Sequence, residues 1–137
     1  MTLQAFHHVA VIVGDYDRSK KFYTEVLGFT VVDENYREER ESFKLDLTGP
    51  GGMRLEIFSF PSAPPRASRP EACGLRHLAF RVENLDAEIQ RLVDLGIVVE
   101  AVRVDEYTGK RFAFFADPDG LPLELYEDRD NNLTLSY

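Results

Sequence analysis

Residues about 68 positions apart in this 137-residue chain match one another in order. His8 and His77 are 69 apart, while Gly28 and Gly96, Gly52 and Gly120, and Glu56 and Glu124 are each 68 apart. One residue of slippage over the whole repeat points to an internal duplication, so whatever the first half folds into the second must also fold into. Each half would carry a sheet face that it cannot bury alone, and the two are expected to pair.

The local pattern tells what is duplicated. Phe6 to Val13 is rich in β-branched residues and runs into Gly14-Asp15, as a strand entering a turn does. Asp15 then suits a helix N-cap, and Tyr16, Ser19, Phe22, Tyr23, Val26 and Leu27 follow at helical spacing up to Gly28. Phe29 to Val32 predicts a second strand, Asp33 to Glu41 a charged loop, and Phe43 to Leu47 and Met53 to Phe58 two alternating strands around the turn at residues 48–52. The second half repeats the plan: strand Leu75 to Val82, cap Asn84, a helix with Leu85, Ile89, Leu92 and Val93 on one face up to Leu95-Gly96, and strands over Ile97 to Val104, Arg111 to Ala116 and Leu121 to Tyr126. Both halves thus read β-α-β-β-β, an α+β class. Residues 61–74 hold four of the seven prolines and no apolar period, which makes them a connector. The expected organisation is one domain over 1–137, with module 1 at about 5–60, the linker at 61–74, module 2 at about 75–127 and a polar tail from 128, frayed or docked.

Strand alternation selects the chemistry-bearing residues. His8 shares a face with Phe6, Ala10 and Ile12, whereas Val9, Val11 and Val13 face the helix. His77 repeats this arrangement. Glu56 between Leu55 and Ile57, and Glu124 between Leu123 and Leu125, also turn away from the helix side. A carboxylate flanked by apolar neighbours in the last strand of each module needs a partner if it is buried. Two imidazoles and two carboxylates meeting in one cup supply that partner as a divalent cation, and mixed N/O ligation suits Zn, Ni, Mn, Fe or Co with room left for water or substrate. Alternation puts His7 on the opposite face, in a structural role.

Composition removes several function classes. A net charge of −8 opposes binding to a phosphate backbone or an anionic membrane. Local basic pairs, Arg37 with Arg40 and Lys110 with Arg111, leave a small anionic substrate open. The single cysteine, Cys73, forms no intrachain disulfide and reads as a buried, inert thiol in a reducing compartment. No basic segment leads into a long apolar run, and no stretch approaches about 18 consecutive apolar residues. A cytoplasmic protein is expected.

His7-His8-Val9-Ala10, Phe22 to Phe29, Gly74 to Phe80, and Asp117-Pro118-Asp119-Gly120 followed by Glu124 together resemble the glyoxalase family of the vicinal oxygen chelate superfamily, over residues 5 to 127. The resemblance implies paired βαβββ modules enclosing one divalent metal, with His8, Glu56, His77 and Glu124 as ligands. Ring-cleaving dioxygenases and fosfomycin-type thiol transferases of the superfamily generally lack a ligand at the position of Glu56, so the fit is to the glyoxalase I-like lyase and isomerase branch. It further implies a small oxygenated substrate, a metal-stabilised enediolate, and Glu124 and Glu56 as the proton carriers. Families of this kind often complete the cup across a homodimer.

Two departures bear on the substrate. Ile12 and Phe60 occupy positions where glyoxalase I, as aligned, carries an arginine and an asparagine, which argues against a glutathione hemithioacetal. Arg81, Tyr107, Lys110 and Arg37 are the candidate substrate contacts instead, Arg81 from the His77 face and the others from loops over the cup. The alternatives are an extradiol-type dioxygenase and a non-catalytic ligand-binding or resistance protein of the same fold.

Overall fold

A computed structural model describes residues 1–129 and divides the chain into two compact units, Met1–Pro65 and Arg66–Tyr137. In the first, β1 (Val9–Val13) leads into α1 (Tyr16–Lys21), followed by one wide helical turn (Phe22–Val26), β2 (Thr30–Arg37), β3 (Ser42–Thr48) and β4 (Arg54–Ser59). The sheet order is β1-β4-β3-β2, with β1 parallel to β4 and the other neighbours antiparallel. The second unit runs β5 (Leu78–Val82), α2 (Leu85–Asp94), β6 (Arg103–Val104), β7 (Arg111–Ala116) and β8 (Pro122–Glu127). Its sheet order is β5-β8-β7-β6, with β5 parallel to β8. The β-α-β-β-β plan is present in both units.

Each helix begins at its expected cap. The Asp15 carboxylate accepts from the Arg18 N–H at 3.1 Å, and the Asn84 side chain accepts from the Ala87 N–H at 3.0 Å. Such caps satisfy amide groups that the first helical turn leaves without partners. At the far ends, Gly28 and Gly96 take φ of 87° and 84°. The left-handed backbone there turns the chain out of the helix, and a side chain would strain it.

One side of each sheet is packed. α1 lies against β4 and α2 against β8. In unit 1 the core is Val11, Val13, Phe22, Tyr23, Phe29, Leu45, Leu47, Leu55 and Ile57; in unit 2 it includes Leu85, Leu92, Ala113, Phe115, Leu123 and Leu125. Burying each large apolar side chain contributes about 1.5–3 kcal/mol. Ala10 and Ile12 are exposed while Val11 and Val13 are buried, as the alternation requires.

Several local expectations need correction. Asp33 to Arg37 is not loop: β2 extends to Arg37 because seven residue pairs join it to β3, and as an edge strand it tolerates charged, exposed side chains. Arg37 is thus on a strand end rather than in a loop. Residues 97–104 form only the two-residue β6 in place of a full strand, although the Glu100 N–H still donates to the Phe114 carbonyl at 2.8 Å. β1 and β5 begin at Val9 and Leu78, one residue after each histidine. Cys73 is exposed, because the proline-rich connector around it has no apolar face to bury. The tail assigned to residues 128–137 lies, from residue 130, outside the described residues. Among those described, no helix is long and apolar enough to cross a membrane.

Candidate metal centre

In unit 1, Ala10 pairs in register with Glu56. His8, just ahead of β1, lies on the Glu56 side of the sheet, its Nε2 3.2 Å from Glu56 Oε2. In unit 2, Ala79 pairs with Glu124, and His77 Nε2 lies 2.9 Å from Glu124 Oε2. The duplicated plan therefore produces the same imidazole–carboxylate pair twice, each on the sheet face opposite its helix. Within either unit, among the described residues, no group of three or more His, Cys, Asp or Glu meets. Each unit by itself offers two donors.

The donor spacing suits a divalent ion. A cation bonded at about 2.1 Å to nitrogen and oxygen has adjacent octahedral ligands roughly 3.0 Å apart, close to both separations. The burial of Glu124 points the same way. Its side chain is 10% exposed, and desolvation pushes its pKa up despite the opposing pull of His77 and Arg103. A carboxylate that its protein neighbours do not fully compensate is one that a cation would compensate. The residues present fit such an ion.

Around the first pair are groups that sequence alternation alone did not single out. His7 Nδ1 lies 2.9 Å from His8 Nδ1, so His7 does not turn to the opposite face; both histidines precede β1, where strand alternation does not apply. Lys44 Nζ stands 3.9 Å from Glu56 and 3.4 Å from Asp46, the residue paired with Glu56 across β3 and β4. The alternation of Lys44 and Asp46 with buried Leu45 and Leu47 was the available signal. Around the second pair, the Phe114 ring meets His77 edge-on at 5.1 Å between centroids.

The four candidate substrate residues fare differently. Arg37 lies with its guanidinium carbon 5.2 Å from the Phe58 ring centroid and 6.0 Å from that of Phe60. Its Nη2 donates to Ser42 Oγ at 2.9 Å, and its buried Nε has no hydrogen-bond partner. Arg81 is exposed and pairs in register with Tyr126, two residues along β8 from Glu124. Tyr107 is 87% exposed at a turn closed by the Asp105 N–H to Lys110 carbonyl bond of 2.8 Å. Lys110 is tied to Asp128 at 3.0 Å. Tyr126, on the Glu124 face, shares its hydroxyl with Thr108 at 2.6 Å and donates to Asp105 at 2.9 Å, so this turn is fastened to the sheet that carries Glu124.

Comparison with known proteins agrees with the architecture. An uncharacterized protein of Bacillus subtilis (strain 168), YwkD, is 58% identical over 93% of this chain and 99% of its own length. The crystal structure of a glyoxalase family protein from Enterococcus faecalis is similar with a TM-score of 0.87, at 51% identity, covering 93% of this chain and 100% of that one. A 2-epi-5-epi-valiolone epimerase of Actinomyces sp. is 31% identical, over 88% of this chain and 78% of that enzyme. Other relatives are named as a lactoylglutathione lyase, a catechol dioxygenase and a metallothiol transferase. The family model of the glyoxalase/bleomycin resistance protein/dioxygenase superfamily matches residues 5–125, and the chain belongs to that superfamily.

Proposed function

We propose that this protein is a metal-dependent lyase or isomerase of the glyoxalase I type, moving a proton on a small oxygenated substrate. His8, Glu56, His77 and Glu124 would hold one divalent ion, Zn, Ni, Mn, Fe or Co. The observation that carries this reading is the twofold recurrence of a His–Glu pair, at 3.2 and 2.9 Å, at equivalent positions of the duplicated plan. One such pair is a commonplace hydrogen bond. Two at matched positions, each on the face that the helix leaves open, make a donor set of four. When bound, the ion supplies Lewis acidity to adjacent substrate oxygens, an effect worth several kcal/mol.

The chain's own groups do the rest. His8 and His77 are anchors. Glu124 takes the substrate proton and Glu56 returns it from the other side, since a carboxylate that both ligates and accepts a proton needs little movement to do either. Lys44 Nζ, 3.9 Å from Glu56, places a positive charge beside that carboxylate. The protein acts as a homodimer in the cytoplasm, on a small molecule and not on nucleic acid or membrane, in keeping with its net charge of −8. The four ligands are drawn from one chain or from two facing copies.

Metal analysis of the purified protein, then methylglyoxal offered with glutathione and with other thiols, tests the proposal. Stoichiometric metal, lost in His8→Ala, Glu56→Ala, His77→Ala and Glu124→Ala, is the expected result. Unchanged metal content in His8→Ala and Glu56→Ala would overturn it. Oxygen uptake with Fe(II) and a set of catechols would instead place the chain among the dioxygenases.

A further inference from the structure

Arg103 stands on the Glu124 face of unit 2 without being part of the His77–Glu124 pair. It pairs in register with Phe112, Phe112 with Tyr126, and Phe114 with Glu124, which sets these side chains on one surface. Its guanidinium carbon is 5.2 Å from the centroid of each of two rings, Phe112 and Phe114. Those rings meet at 89° with centroids 5.9 Å apart, and Phe114 in turn abuts His77. A guanidinium held against aromatic rings is restrained in position while its N–H groups remain available.

Among the described residues, little occupies those N–H groups. The contact with Glu100 is 4.0 Å, at the limit of an ion pair, between side chains that are 55% and 66% exposed. Arg37 in unit 1 offers a useful contrast: it has the same aromatic backing but donates to Ser42. Nor does the duplicated plan demand an arginine here. The position 68 residues earlier is Asn35, whose side chain donates to Asp33 at 3.0 Å. Arg103 is therefore a departure of the second half, placed beside the half-site at Glu124 and reachable by a ligand.

We propose that Arg103 is a specificity residue that anchors a carboxylate of the substrate, at the end remote from the oxygens that face His77 and Glu124. The planar fork of a guanidinium matches the two oxygens of a carboxylate, and the two bonds are charge-assisted. The proposal rests on the metal-dependent function above and narrows it to oxygenated acids.

Malate is a suitable probe, because its hydroxy-acid end offers adjacent oxygens and its second carboxylate lies beyond them; the 4-amide of malate keeps the shape without that charge. Binding of both to the metal-loaded protein is measured by calorimetry, with metal content determined in parallel. Wild-type protein is expected to bind malate on the order of tenfold more tightly than the amide, the scale of a hydrogen bond to a charged group. Arg103→Ala should abolish that preference, Arg103→Lys should restore part of it, and both should keep their metal. Absence of the preference in wild type, whether both probes bind or neither does, overturns the anchor, as does its persistence in Arg103→Ala. Metal content separates the two ideas. Protein that holds metal but shows no preference refutes the anchor alone; protein that takes up no metal refutes the functional reading, and the anchor falls with it.

Discussion

At the scale of single residues, His8 is engaged at both ring nitrogens, with Nε2 toward Glu56 and Nδ1 toward His7. For Nε2 to ligate a cation through its lone pair, the proton must sit on Nδ1, and His7 Nδ1 is then the acceptor that fixes this tautomer. His7→Ala should weaken metal binding by about 10- to 100-fold while leaving the fold intact, measured by competition with a chelator. The two His–Glu pairs were legible in the sequence because duplication and alternation act on the same positions: Glu56 and Glu124 each sit between two leucine or isoleucine side chains that the core claims. His7 and Arg103 were not legible. The contact of His7 depends on where β1 begins, and the stacking of Arg103 on the pairing of β6 with β7 that sets it beside Phe112; neither carries a periodic signal.

Among the elements, α2 is fastened to the end of β8 by a single carboxylate. Glu127 accepts from the Leu85 N–H at 2.8 Å, at the first residue of the helix, and from Arg111 Nη2 at 3.1 Å, while Arg111 also reaches Asp86 at 3.1 Å. Arg111, and after it the Leu85 amide, hold the Glu127 carboxyl below its ordinary value of 4.5. A carboxyl lowered on folding stabilises the protein above its unfolded pKa, and that contribution is lost as the pH falls through the folded value. Glu127→Gln should therefore lower the melting temperature at neutral pH, by a loss of about 1–2 kcal/mol, and less so in acid, in a series of thermal melts. The network escaped sequence reading because its partners lie 42 and 16 residues apart in different elements. The helices and strands it joins were readable from their caps and alternation. β2 was misread for the opposite reason: its charges suggested loop, yet pairing with β3 sets its conformation and the edge position exposes its side chains.

For the molecule as a whole, each unit supplies two donors where a divalent site takes more. A homodimer predicts a mass in solution near twice the 15.7 kDa of the chain, by light scattering. Mixing a double variant of His8 and Glu56 with a double variant of His77 and Glu124 then reports the origin of the ligands: metal uptake returns in the mixture only when two chains share a site. The charged edge strand has a bearing on such assemblies. β2 carries Asp33, Glu34 and Arg37 and is broken in register between Val31 and Asp33. An irregular strand bearing charge is a poor template for a strand of another molecule. β1, at the other edge, is an uninterrupted Val-Ala-Val-Ile-Val run with no charge along it. The unit 1 sheet thus has one margin that repels further growth and one that invites it, so that addition of a strand there is directed to a single side.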